Sequence, residues 1–191
     1  MPSNPFSQNF TVPSTQHTYH YTFASPTNPT LPFLVFFHGF PFTAELWTAQ
    51  TTYFASRGYG ILAPDMLGYG SSSAPADPSE YALKILVNDA VALLEHLGIE
   101  RFHGVAHDFG VHLMSRLYNY HPEMFLSATF VSVPYQSPDR YFDVDAANAM
   151  TKKILGVEKF AYMKFLAKEG SHELLDAHVR TLTHGERSSW V

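Results

Sequence analysis

The sequence predicts an α/β fold, a mostly parallel sheet with helices on both faces, followed by a separate helical segment. Three observations carry this expectation. Short apolar runs recur at Leu34–Phe37 (LVFF), Tyr59–Ala63 (YGILA), Phe102–Ala106 (FHGVA) and Leu126–Val133 (LSATFVSV). Stretches with helical spacing lie between them, and strands alternating with helices of this length imply βαβ units and parallel pairing. After Pro134 the alternation stops, and from about Thr151 to Leu182 the patterns are helical only. The chain therefore divides into a sheet-forming core, 1–135, and a helical segment, 136–191, laid over the end of the sheet.

Each element has a local cause. His17–Ala24 (HTYHYTFA) places aromatics at alternating positions and stops at Ser25-Pro26, which suits a strand of a hairpin or sheet edge. Leu34–Phe37 is apolar at every position, the pattern of a strand buried on both faces. Trp47–Arg57 can form a helix closed by Gly58, and Pro64 stops the strand that follows. Ser79 is expected to cap the clearest helix, where Leu83, Leu86, Val87, Ala90, Leu94 and Leu97 share one face. Gly98 stands where a left-handed C-cap belongs. Phe102–Ala106 passes without a spacer into a helical pattern from Phe109 to Tyr120. Asp139–Asn148 is polar and reads as a loop.

Composition bounds the function. With 191 residues, 46% hydrophobic and 15% charged, the chain can bury a real core. Sixteen Phe and 11 Tyr will dominate the core and any pocket. A net charge of −5 gives no reason to expect a nucleic-acid or acidic-membrane partner. There is no Cys, so disulfides, thiolate metal sites and a Cys nucleophile are excluded together. His103, His107 and His112 lack the spacing of a metal pair on one helix. No apolar run approaches the roughly 18–20 residues of a membrane span. Met1–Pro13 is polar and Pro-interrupted, unlike a secretory signal, so the Asn9-Phe10-Thr11 sequon reads as chance. The expectation is a soluble, cytoplasmic protein without metal or other cofactor, its oligomeric state open.

In an open α/β sheet, reactive groups collect in loops at the carboxyl ends of strands. The strongest candidate is Gly104-Val105-Ala106-His107-Asp108-Phe109-Gly110. Ala106 and Gly110 flank Asp108 at two residues on either side, between a strand and a helix. This is the spacing of a nucleophile elbow, with Asp where serine hydrolases place Ser. The positive end of the helix below suits a carboxylate there. An Asp capping the helix without any chemistry is the other reading of this segment. The second candidate, His38-Gly39-Phe40-Pro41, follows a buried strand. In such elbows an anion site is built from two backbone N–H groups, here those of Phe109 and Phe40. Gly39 permits the turn, and Pro41 fixes the loop. In the third, Pro64 to Ser72, the glycines match neither common phosphate-binding spacing. That loop reads as structural, with Asp65 tying it to the His38 loop.

Together HGFP at 38–41, APDMLGYGSS at 63–72, AHDFG at 106–110 and SRLYNYHPEMF at 115–125 resemble the epoxide-hydrolase branch of the α/β-hydrolase superfamily. The resemblance is close over roughly Pro32–Tyr135 and looser beyond. Phe109 stands where that family usually has Trp, and only its backbone N–H is needed. The resemblance implies that Asp108 attacks a ring carbon of a small apolar epoxide to give an alkyl-enzyme ester. Tyrosines of a helical cap would protonate the opening oxygen, and a His oriented by an acid would activate water. Phe160–Phe165 looks like the first cap helix, and Tyr162 matches its first acid tyrosine.

In this superfamily the acid and the His follow the nucleophile in chain order. No residue here is assigned to either role, nor to a second cap tyrosine. His172, His178 and His184 lack a strand-end context, and the His107 side chain should point away from its neighbour. The chain is therefore expected to be a truncated form, a partial core with a partial cap. It should be inactive in turnover, and Leu126–Val133 should be left as an aggregation-prone sheet edge. The tail Thr183–Val191 shows no organised pattern. Two other readings stay open: a haloalkane or haloacid dehalogenase using the same ester, and a non-catalytic remnant.

Overall fold

The computed structural model describes residues 7–139, 142–175 and 177 of the 191. The chain divides into two compact units, Met1–Pro138 and Asp139–Val191. In the first, six strands form one sheet: β1 (Ser7–Thr11), β2 (Thr18–Ala24), β3 (Phe33–Phe37), β4 (Gly60–Pro64), β5 (Phe102–His107) and β6 (Phe125–Val131). Their order is β1-β2-β4-β3-β5-β6. Strands β3 to β6 run parallel, while β1 and β2 form an antiparallel hairpin joined to β4. The helices of this unit are α1 (Thr48–Ala55), α2 (Leu83–His96) and α3 (Phe109–Tyr120).

The central strand explains its own sequence. Val35 and Phe37 pack into a cluster with Leu62, Leu94, Ala106 and Met114, while Leu34 and Phe36 face a second cluster with Ile61 and Trp47. A strand covered on both faces needs apolar residues at successive positions, which is why LVFF does not alternate. Burial of each such side chain contributes about 1.5–3 kcal/mol. The strand that leads into the His38 loop is thus embedded on both faces.

One expectation changes, one strand is added and one alternative is decided. Ser79 does not cap the long helix: its N–H donates to the side chain of Asp77, which caps a short 3-10 turn over Pro78–Tyr81. The α-helix begins only at Leu83, after Ala82 in an extended conformation. The polar start of the chain hides β1, whose SQNFT is exposed except at Phe10, stacked on His96. An edge strand with one half-buried side chain gives little hydrophobic contrast. Because β1 lies outside it, β2 is the inner strand of the hairpin and not an edge.

In the second unit, helices α4 (Val144–Leu155) and α5 (Ala161–Leu166) are present. The stretch read as a loop up to Asn148 is helical from Val144. The Asp143 carboxylate accepts the N–H groups of Asp145 and Ala146, so the polar residues are a cap and a first turn. Residues beyond 177, including His178, His184 and the tail Thr183–Val191, lie outside the described residues. Among the described residues no helix is long and apolar enough to cross a membrane. On its outer side β6 has no strand partner among them, and Leu126 and Val131 are each 40% exposed.

Candidate active site

Strands β3 and β5 are neighbours, with Phe37 opposite Ala106. The loops leaving their carboxyl ends therefore lie side by side, which brings His38, Gly39 and Phe40 to Asp108. Asp108 has φ 51° and ψ −121°, a region a residue with a Cβ adopts at a cost of about 1–3 kcal/mol. The surroundings enforce it. A Cβ on Gly110 would lie 2.5 Å from the His38 carbonyl oxygen and 2.6 Å from that of Phe37. Ala106, two residues before, is fully buried. The small residues at both flanks are thus the clearance that lets α3 start directly against β3.

Asp108 heads α3 but makes no side-chain cap to it. Its Oδ1 instead accepts the backbone N–H of Phe40 at 3.2 Å. Gly39 is the close neighbour on the other loop: a Cβ there would come within 2.5 Å of Asp108 Cβ and 2.7 Å of Oδ1. Phe109 is the first residue of α3, so its N–H has no acceptor within the helix. The peptide bond between Phe40 and Pro41 is cis.

His38 is completely buried. Its Nε2 accepts the Met66 N–H at 2.9 Å, so the proton sits on Nδ1, which donates to the Gly39 carbonyl at 3.1 Å. Burial pushes the imidazole pKa down, against the Gly39 carbonyl and the charge of Asp65. The neutral ring is a bracket between two loops, with both nitrogens spent. Asp65 does the same from the other side: its Oδ1 accepts the Ala44 N–H at 2.8 Å and its Oδ2 the Ser71 N–H at 3.1 Å. A Cβ on Gly70 would overlap that carboxylate. The glycines of this loop make room for Asp65.

One neighbour of Asp108 escapes the sequence reading. His112, one turn into α3, interacts electrostatically with Asp108, while burial lowers its pKa. The signal was its place four residues after Asp108, in the first turn of the helix that Asp108 heads. The His107 ring faces Phe42, at 6.1 Å between ring centroids, and its Nδ1 is buried. Tyr162 is the second residue of α5 in the other unit and is 37% exposed. Among the described residues no three metal-ligating side chains gather.

Comparison with known proteins agrees with this fold. The family model for the α/β hydrolase fold matches residues 32–165. An epoxide hydrolase of Neurospora crassa is 36% identical over 136 residues, 68% of this chain and 40% of that protein. Mouse (Mus musculus) bifunctional epoxide hydrolase 2 is 31% identical over 142 residues, 74% of this chain and 24% of its own. Among solved structures, an epoxide hydrolase from Vigna radiata superposes with a TM-score of 0.73 at 27% identity, covering 96% of this chain and 59% of that one. A variant of a Vigna radiata epoxide hydrolase gives 0.72 at 30% identity, over 91% and 52%. The chain thus spans well under half of these curated relatives and somewhat over half of these solved chains. It belongs to the α/β-hydrolase fold family, and within that family it is similar to the N-terminal portion of epoxide hydrolases.

Proposed function

We propose that Asp108 is the nucleophile of an epoxide-opening hydrolase and that this chain carries the ester-forming half of its chemistry. The observation that carries the proposal is the Asp108 carboxylate turned away from its own helix and onto the Phe40 N–H. With Oδ1 held there, Oδ2 is the attacking oxygen. It forms a bond to a ring carbon as the C–O bond of the ring breaks, and the oxygen that leaves takes a proton. Tyr162, in the segment proposed as the start of the cap, is the candidate donor. When water later attacks the ester carbon, negative charge develops on Oδ1, where the N–H groups of Phe40 and Phe109 would stabilise it.

That second step also needs a base. Among the described residues His38 has both nitrogens engaged, and His17 bridges two carboxylates. His112 is partly buried on a pKa already pushed down. A pKa below the ordinary value weakens it as a proton acceptor, so none of these three supplies a strong base beside the ester.

The test is incubation of the 191-residue protein with a small aryl epoxide, followed by intact-mass and peptide analysis. A single adduct on Asp108, absent in Asp108→Ala, is the expected result. A folded protein that gains no adduct would remove the nucleophile assignment.

A further inference from the structure

Ser7 on β1, His20 on β2 and Asp65 just past the end of β4 fall together on one face of the sheet. In the β1–β2 ladder Ser7 opposes Thr22, so His20 is its diagonal neighbour on the same face. In the next pair Tyr21 opposes Pro64, and the Asp65 N–H donates to the His20 carbonyl at 2.8 Å, which sets those two residues level. The side chains complete a line. His20 Nδ1 stands 2.9 Å from Asp65 Oδ2, and His20 Nε2 stands 2.5 Å from Ser7 Oγ.

The protons follow from the partners. A carboxylate only accepts, so Nδ1 carries the hydrogen, Nε2 bears the lone pair, and the Ser7 hydroxyl donates to it. This is the tautomer in which an imidazole, oriented by a carboxylate, takes the proton of an attacking hydroxyl. The carboxylate is fixed: its side chain is 6% exposed and also accepts the Ala44 and Ser71 N–H groups. The hydroxyl is reachable, since Ser7 is exposed on the edge strand. All three residues line a cleft of about 790 Å³ together with Thr22, Thr43 and Ile61, a volume in the range of small-molecule sites. Ser7 and His20 have no part in the Asp108 site.

We propose that Ser7 is a second nucleophile of this protein, activated by His20 and Asp65, and that it accepts acyl groups from small esters. Ser7 Oγ bonds to the carbonyl carbon as its proton moves to His20 Nε2. The ester C–O bond then breaks, and that proton leaves on the alcohol. Water deprotonated by the same nitrogen cleaves the acyl-serine, so one ester and one water give one acid and one alcohol. The proposal does not rest on the role of Asp108.

The experiment is labelling of the 191-residue protein with an alkyl phosphonofluoridate, from which an activated serine displaces fluoride, read by intact and peptide mass. One adduct on Ser7 is expected, absent in Ser7→Ala and formed roughly a hundredfold more slowly in His20→Gln. Wild-type protein unfolded in urea should not label at the native rate. Native protein that stays unlabelled, a label on another residue, or equal rates for native and unfolded protein would each show that the three side chains only tie the hairpin to β4.

Discussion

The Phe40 N–H and the Asp108 Oδ1 meet at 3.2 Å although 68 positions separate them in sequence. Neither loop could reach the other if its glycine carried a side chain. Gly39 lies against Asp108, and Gly110 lies against the carbonyls of Phe37 and His38. The carboxylate is held by the fit between two strand ends.

Gly39→Ala is the direct probe of that fit. The new Cβ would stand 2.5 Å from Asp108 Cβ, so a backbone must shift. Such overpacking costs about 1–3 kcal/mol, and the epoxide adduct should form at least about tenfold more slowly, since small misplacements of reacting groups are costly. Thermal unfolding and adduct kinetics measure the two effects separately, and an unchanged adduct rate would show that the loops have slack.

His38→Gln probes the bracket. Because burial depresses the His38 pKa, the folded state resists protonation and the unfolded state does not. Its contribution is present above the ordinary value of 6.5 and is lost as pH falls from there towards the lowered value. Melting temperature against pH should fall on acidification in the wild type and fall less steeply in the variant.

His17 should give the opposite slope. Its Nδ1 is 2.7 Å from Asp89 on α2 and its Nε2 2.7 Å from Glu80, while Tyr19 and Thr15 also donate to Asp89. Burial alone would lower the pKa, but the two carboxylates outweigh it and raise it. Only an imidazolium has a proton for both. The stabilisation is complete below 6.5 and is lost as pH rises through the raised value. His17→Gln should cost about 1.5–3 kcal/mol at low pH, and its gap to the wild type should narrow as pH rises. A gap independent of pH would show that His17 is neutral.

The outer side of β6 is the fourth target. Its side chains at Leu126 and Val131 are exposed, and FLSATFV carries no charge. Among the described residues no strand pairs with that side, and uncharged strands left so template association. Thr129→Lys, at an exposed position of that strand, should reduce light scattering at high protein concentration. Equal scattering would locate the association elsewhere.

How much of this was legible in the sequence depended on hydrophobic contrast. LVFF and FHGVA announce buried strands, and the Ala106–Gly110 spacing marks the elbow because sterics leave no other choice there. β1 was hidden because SQNFT half-buries only Phe10, and Ser79 passed for a cap because a 3-10 turn intervenes before α2. Asp143 was hidden among polar residues whose capping role depends on where the helix begins. The Ser7–His20–Asp65 line could not be read at all: its members come from two strands and the loop after a third, and only the ladder register brings them level. His112 stands close to Asp108 in sequence, but that closeness alone does not distinguish an electrostatic neighbour from any other residue of the first turn.

The span between Phe40 and Asp108 also sets an order of events in time. At about 5–20 residues per second, a ribosome that has just added Phe40 needs roughly 3–14 s to reach Asp108. Through that interval the Phe40 amide lacks Asp108, and β3 lacks the neighbour that positions its loop. Non-local pairings of this kind form slowly even in a finished chain. The pairing of β3 with β5 is thus the step at which the Asp108 carboxylate first meets the Phe40 N–H, and a pulse of epoxide during refolding would date the appearance of the proposed nucleophile.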